Sequence, residues 1–112
     1  MHELSLCRCI QGIVRAHAAG RAVVRVELRV GHLRQVVPDT LARCWELLTE
    51  GTELAGTVLD VDEVPAVVEC RSCGERTVLD ALVLRCGTCG DRDVVLVAGE
   101  ELLVAALELE GS

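Results

Sequence analysis

The stretch CRSCGERTVLDALVLRCGTCG, residues 70–90, sets the organisation of the chain. It holds two Cys-x-x-Cys pairs, Cys70/Cys73 and Cys86/Cys89, twelve residues apart, and a glycine, Gly74 or Gly90, follows the second cysteine of each. Such a pair closes a tight knuckle whose thiolates point at one centre, and the glycine lets the backbone turn at positive φ so that amides face the sulfurs. Four thiolates fill every position around a tetrahedral ion, so the pattern predicts one structural zinc ion on Cys70, Cys73, Cys86 and Cys89. Disulfides and a redox dithiol are the alternatives, and iron–sulfur clusters usually space their cysteines differently. The spacer is slightly shorter than usual but long enough for one hairpin, with Val78, Leu82 and Leu84 as its packing residues.

The rest of the composition narrows the class. With 112 residues, 51% of them hydrophobic, the chain can build one small domain, or a small domain carrying a smaller metal-stapled one. The core must be aliphatic, because Trp45 is the one aromatic residue. A formal charge of −7 argues against nucleic acid as a partner, since phosphate binding needs a basic face. Four thiolates around one Zn²⁺ add further negative charge. No apolar run reaches the length of a membrane span, and the first residues lack the layout of a signal peptide. A cytoplasmic protein is expected, its seven cysteines reduced or metal-bound.

Upstream of the ribbon the periodicity alternates between helix and strand. Leu6, Ile10, Ile13 and His17 recur at spacings of three and four, which predicts a helix from Glu3 to Ala19 with His17 on or beside its apolar stripe. From Ala22 to Val30 the period is two, with Val24, Val26, Leu28 and Val30 on the buried face of a strand. Pro38 and Asp39 open a second helix whose stripe is Leu41, Cys44, Trp45 and Leu48. Strands are expected at Thr57–Asp62 and Ala66–Glu69, broken at Pro65. After the ribbon come the apolar run Val94–Val97 and a last strand that places Leu103, Ala105, Leu107 and Leu109 on one face. That strand needs a sheet to pair with, and the available strands precede the ribbon. The zinc unit therefore reads as an excursion from one α/β domain.

His17 and His32 read as packed or solvated histidines. Cys7 and Cys9 lie about 200° apart around a helix axis and cannot chelate one ion together. Cys44, on an apolar stripe, reads as a small hydrophobe.

The segment Met1-His2-Glu3 offers a second donor set. His2 is too bulky for the usual removal of the initiator, so the mature chain is expected to start at Met1. Its α-amine, the His2 amide nitrogen and the His2 Nδ1 can occupy three adjacent corners of one ion, with the Glu3 amide or carboxylate as the fourth. Square-planar nitrogen donors suit Ni(II) or Cu(II) rather than Zn(II).

A chain that opens MHELSL, continues through VRVELRVG and PDTLARCWE, and then carries CRSC and CGTCG before a Glu-Leu-rich last strand resembles the HypA/HybF family, nickel metallochaperones of nickel–iron hydrogenase maturation. The resemblance covers nearly the whole length. It implies an α+β fold, with two helices on a three-stranded sheet in a nickel-binding domain (residues 1–66 and 99–112) and an inserted four-cysteine zinc-ribbon domain (67–98). It also implies a metal carrier rather than an enzyme, with nickel on Met1, His2 and Glu3 as cargo and zinc on the four ribbon cysteines. The partners it implies are a HypB-type GTPase and the hydrogenase large subunit, and some members also serve urease. Two rival readings come from the residues alone: an acidic zinc-ribbon docking module without nickel, and a thiol oxidoreductase. No nucleophile–base constellation or Gly-rich phosphate loop accompanies them.

Overall fold

The computed structural model describes residues 3–80 and 83–111. Met1, His2, Ala81, Leu82 and Ser112 lie outside them, and with these the expectations for the nickel ligands Met1 and His2 and for Leu82 as a packing residue. In chain order the elements are α1 (Glu3–Ala18), β1 (Val23–Gly31), a short 3₁₀ turn (His32–Arg34), α2 (Pro38–Thr49), β2 (Val58–Val64), β3 (Val67–Cys70), β4 (Arg76–Val78), β5 (Val94–Ala98) and β6 (Leu102–Leu109). They form two three-stranded sheets, ordered β2-β1-β6 and β4-β3-β5. The last strand returns to pair antiparallel with β1, as its alternation requires, and β2 runs parallel to β1 after the α2 crossover.

Both helices cover one face of the first sheet. Leu6, Cys7, Ile10 and Val14 of α1, Leu41 and Trp45 of α2, and Val26, Leu28 and Val30 of β1 meet in one core. Trp45 is 1% exposed and donates its indole N–H to the Thr57 carbonyl at 2.9 Å, which ties α2 to the entry of β2. The opposite face of β1 is charged, and Arg25 and Arg29 pair there with Asp60 and Asp62 of β2.

Four side-chain assignments need correction. The α1 stripe is Leu6, Cys7, Ile10, Val14 and Ala18, whereas Ile13 and His17 are exposed. An apolar pair at the right spacing sits one flank away from the stripe, where α1 runs beside β6. Val24 is 44% exposed and Val23 takes its place inside, because the β1–β6 register shifts between Val23 and Arg25. A second shift, between Glu27 and Leu28, turns Leu103 and Ala105 outward and brings Leu102 and Val104 to the core. Each bulge reverses the facing of every residue on one side of it. Finally, the spacer makes no hairpin of its own among the described residues. Its one strand, β4, pairs back with β3, and Val78 and Leu84 are 60% and 53% exposed.

Where the chain crosses between sheets the backbones touch. A Cβ on Gly31 would lie 2.0 Å from the Gly99 carbonyl oxygen, and one on Gly99 would lie 2.6 Å from the Ala66 Cα. Glycine is therefore required at both positions, and Gly99, at φ +118°, also adopts a backbone conformation that other residues rarely reach. Hydrogen bonds from Gly31 N to Glu101 O and from Leu33 N to Gly99 O, at 2.7 and 2.9 Å, hold this crossing.

Candidate metal centre

Cys70 ends β3, and its knuckle turns the chain into β4, while the second knuckle delivers it to β5. The two knuckles are built alike. Gly74 N donates to Cys70 O at 2.9 Å and Gly90 N to Cys86 O at 3.0 Å, and each chain then returns its next carbonyl, Glu75 O or Asp91 O, to the amide of the first cysteine at 2.9 Å. Both glycines have φ +78°. Inside the turns, Cys73 N approaches Cys70 Sγ at 3.5 Å, and Cys89 N and Thr88 N approach Cys86 Sγ at 3.5 and 3.4 Å. These are the amides that the sequence pattern calls for, aimed at sulfur.

The four sulfurs converge from the two knuckles and lie within 4.8 Å of one another. Cys70 and Cys89 are 3.6 Å apart across the centre, as are Cys73 and Cys86. A tetrahedral ion with metal–sulfur bonds of about 2.3 Å spaces its thiolates at about 3.8 Å, so the cluster has the dimensions of such a shell. These separations are far too long for S–S bonds of about 2.05 Å, and all seven cysteines are free. The donors sit unevenly, since Cys70 and Cys86 are buried and Cys73 and Cys89 exposed.

Protonation points the same way. The Cys89 and Thr88 amides, with further hydrogen bonds from the Cys73 and Cys89 thiols, outweigh burial and hold the Cys86 thiol down at about 6. The Glu75 amide pulls Cys73 down, but desolvation and hydrogen bonds to Cys86, Cys70 and Cys89 outweigh it and push that thiol up to about 12. Thiols packed this closely cannot all ionise until a cation neutralises them, and a divalent ion supplies that charge. The donor set therefore fits a structural metal held by Cys70, Cys73, Cys86 and Cys89.

Sequence reasoning missed the supports around this centre. Thr77 Oγ1 accepts from Gly87 N at 2.9 Å, Arg71 N donates to Asp93 O at 2.9 Å, and Asp91 Oδ1 accepts from Asp93 N at 3.0 Å. The Asp-x-Asp spacing after Gly90 carries a turn signal that could have flagged the last of these.

The remaining candidates are dispersed. Glu3 is half-buried at the start of α1. Cys7 is fully buried, and its thiol donates to the Leu41 carbonyl at 3.5 Å, whereas Cys9 is exposed and Cys44 packs at the core's edge. His17 Nδ1 lies 2.9 Å from Ile13 O, and His32 Nδ1 lies 3.0 Å from a Glu63 carboxylate oxygen. Among the described residues the four ribbon cysteines form the one cluster of metal-ligating groups. No described helix is long and apolar enough to cross a membrane.

Residues 1–109 match the family described as hydrogenase/urease nickel incorporation, metallochaperone, hypA. The chain is 38% identical to the hydrogenase maturation factor HypA of Nostoc punctiforme, covering 98% of this chain and 96% of that one. It is 40% identical to the factor of the same name from Geobacter sp. strain M21, over 98% and 100%. The solution structure of the nickel metallochaperone HypA from Helicobacter pylori superposes with a TM-score of 0.67 at 22% identity, covering 97% of both chains, and so shares the fold. A second solution structure of a HypA protein gives 0.71 at 21% identity, over 100% of this chain and 98% of that one. With a match over nearly its full length, a common fold and the four-cysteine centre, the chain belongs to the HypA family of nickel-incorporation metallochaperones.

Proposed function

We propose that this chain binds one Ni(II) at its amino terminus, through Met1, His2 and Glu3, and hands it on for insertion into the large subunit of a nickel–iron hydrogenase. As a family member the protein is a maturation factor and not an enzyme. The observation that carries the nickel reading is that the family match begins at residue 1 and so takes in the Met-His-Glu start. The local structure is compatible with it. Glu3 opens α1, and because the first N–H of a helix is not needed by its ladder, a metal can take the Glu3 amide nitrogen without breaking it. Cys7, one turn on, is buried and hydrogen-bonded to Leu41, which keeps a thiolate out of the nickel shell.

In this reading zinc is the ion on the four cysteines and is structural, because no coordination position is left open for cargo. The zinc domain comprises residues 67–98, and the nickel domain residues 1–66 and 99–112. A HypB-type GTPase is the delivery partner, urease maturation proteins are further candidate partners, and the work is done in the cytoplasm without nucleic acid or membrane.

Calorimetric nickel titration tests the mechanism on zinc-loaded protein with a native start. One Ni(II) per chain is expected at neutral pH, and it should leave on acidification as the imidazole protonates near about pH 6.5. A one-residue N-terminal extension, which turns the amine into an amide, and His2→Ala should each abolish uptake while zinc content and circular dichroism stay unchanged. Equal nickel affinity in both altered proteins would overturn this site and leave an acidic docking module as the better account.

A further inference from the structure

The two edges of the first sheet are finished differently. On β2 the outer strand carries Asp60, Asp62 and Glu63, and Pro65 follows its end, which are devices that keep an exposed strand from pairing further. At the other edge, β6 reads LLVAALEL, with no proline and no charge from Leu102 to Leu107, and among the described residues no strand lies beyond it. Leu103, Ala105 and Ala106 are exposed there. Between this strand and α1 a groove of about 170 Å³ opens, lined by Ile13, His17 and residues 104–107. A fourth strand laid along β6 would put its core-facing side chains into that groove and its amides against the outer row of backbone groups.

The geometry points to this edge as a docking site for an extended segment of a partner protein, about six residues long, apolar in the middle and basic at both ends. Charge selects the occupant. Glu100 and Glu101 precede β6, with Arg34 bonded to the Glu100 carbonyl, and Glu108 and Glu110 close it, with Arg21 bonded to the Glu110 carbonyl and Arg25, paired with Asp60, opposite Glu108, so acids outnumber bases at both ends of the apolar stretch. A second copy of the chain would oppose acid to acid at each end if paired antiparallel, and would stack each acid on itself if parallel, and like charges directly opposite are destabilising in a sheet. A segment ending in arginine or lysine meets opposite charge in either direction. The small side chains of Ala105 and Ala106 leave room at the centre, and main-chain hydrogen bonds then supply affinity while the groove supplies selectivity. This surface depends on the sheet alone, so a chain that failed to bind nickel would still take the strand.

The test uses full-length, zinc-loaded, isotope-labelled protein and a synthetic peptide of alternating valine and threonine with arginine at each end. Amide resonances of residues 103–107 should shift and exchange more slowly on binding. Affinity should fall about tenfold when glutamates replace the two arginines, as expected for two cross-strand charge pairs. The Glu100→Arg/Glu108→Arg variant should reverse that preference. Two further peptides are methylated at alternate backbone nitrogens, one set facing the strand and the other facing away, and only the second should bind. Equal binding of both methylated peptides, or shifts confined to β4 or β5, would overturn the proposal. So would dimerisation in sedimentation with the same β6 shifts in the absence of peptide, which would make a second copy the occupant.

Discussion

Cys7 and Cys9 stand two residues apart on α1, yet one is fully buried and the other exposed, which is the helical geometry that denies them a common ion. Burial raises the Cys7 thiol to about 11, with Cys44 and Glu3 adding to the effect. The sign of the pH dependence follows. In the unfolded chain the thiol ionises near its ordinary 9.0, whereas in the folded protein it stays protonated, so the folded state binds more protons and loses stability as pH rises from 9.0 toward about 11. The chain has no tyrosine or lysine, but its six other cysteines ionise in that window when unfolded, so the Cys7 share is read by difference. Urea unfolding followed by Trp45 should therefore give a stability difference between the parent and Cys7→Ala of about 1 kcal/mol at pH 8, from the lost packing, that shrinks at pH 10. The same variant should keep both metals, and loss of nickel in it would place a thiolate in the nickel shell. Gln11 presents the opposite case. The residue is only 8% exposed, and its buried side-chain nitrogen has no hydrogen-bond partner among the described residues. Gln11→Met keeps the volume and removes the unsatisfied donor, so it should stabilise by about 1 kcal/mol, read as a higher Tm. An unchanged or lower Tm would mean that the amide is satisfied by water.

At the scale of elements, the sequence located the helices and most strands because their apolar periods are unbroken, and it identified the four cysteines because knuckle chemistry is local. It misplaced Val24, Leu103 and Ala105 for one reason. A bulge inserts a residue without any mark in the period-two pattern, so the inward set switches phase where no single strand can announce it. Ile13 is misassigned because a helix lying near a sheet edge has two plausible apolar flanks, and only the neighbouring strand decides between them. The crossing at Gly31 and Gly99 was also invisible, since the two glycines are far apart in sequence. Their contact makes a sharp prediction. Gly31→Ala places a methyl 2.0 Å from a backbone oxygen that has no side-chain freedom to move aside. Thermal unfolding should register a loss of about 2 kcal/mol or more. Gly12→Ala is the control: a Cβ there meets nothing within 4 Å, and the change should stabilise its helix slightly. If Gly31→Ala melts like the parent protein, the crossing is looser than the backbone contact requires.

For the whole molecule, shape and core size decide how the two sheets depend on the metal. A compact chain of this length has a radius of gyration of about 13 Å, whereas this one measures 17.2 Å, with extents of 53 × 26 × 16 Å. The sheets thus lie along the long axis and do not share one core. The first has a large apolar core around Trp45, while around the second the buried hydrophobic residues among those described are Ala66, Val68, Cys70 and Cys86. Val78, Val83, Leu84, Val95 and Val97 all face solvent there. Under the proposed division, a core of this size leaves the conformational entropy of the strands to be offset by the free energy of metal binding, which is a testable expectation. Stripping the metal with a chelator should abolish hydrogen-exchange protection in β3, β4 and β5 but preserve it in β1 and β2. The single tryptophan gives an independent reading, because Trp45 reports on the first core and bonds to Thr57. Its emission and melting midpoint should change little on chelation. Cys73→Ser and Cys89→Ser should reproduce the chelated state, as each leaves three thiolates around an ion that needs four. If Trp45 emission instead collapses together with the β3–β5 amides, the sheets fold as one cooperative unit, and residues 67–98 are no separate metal-stapled domain.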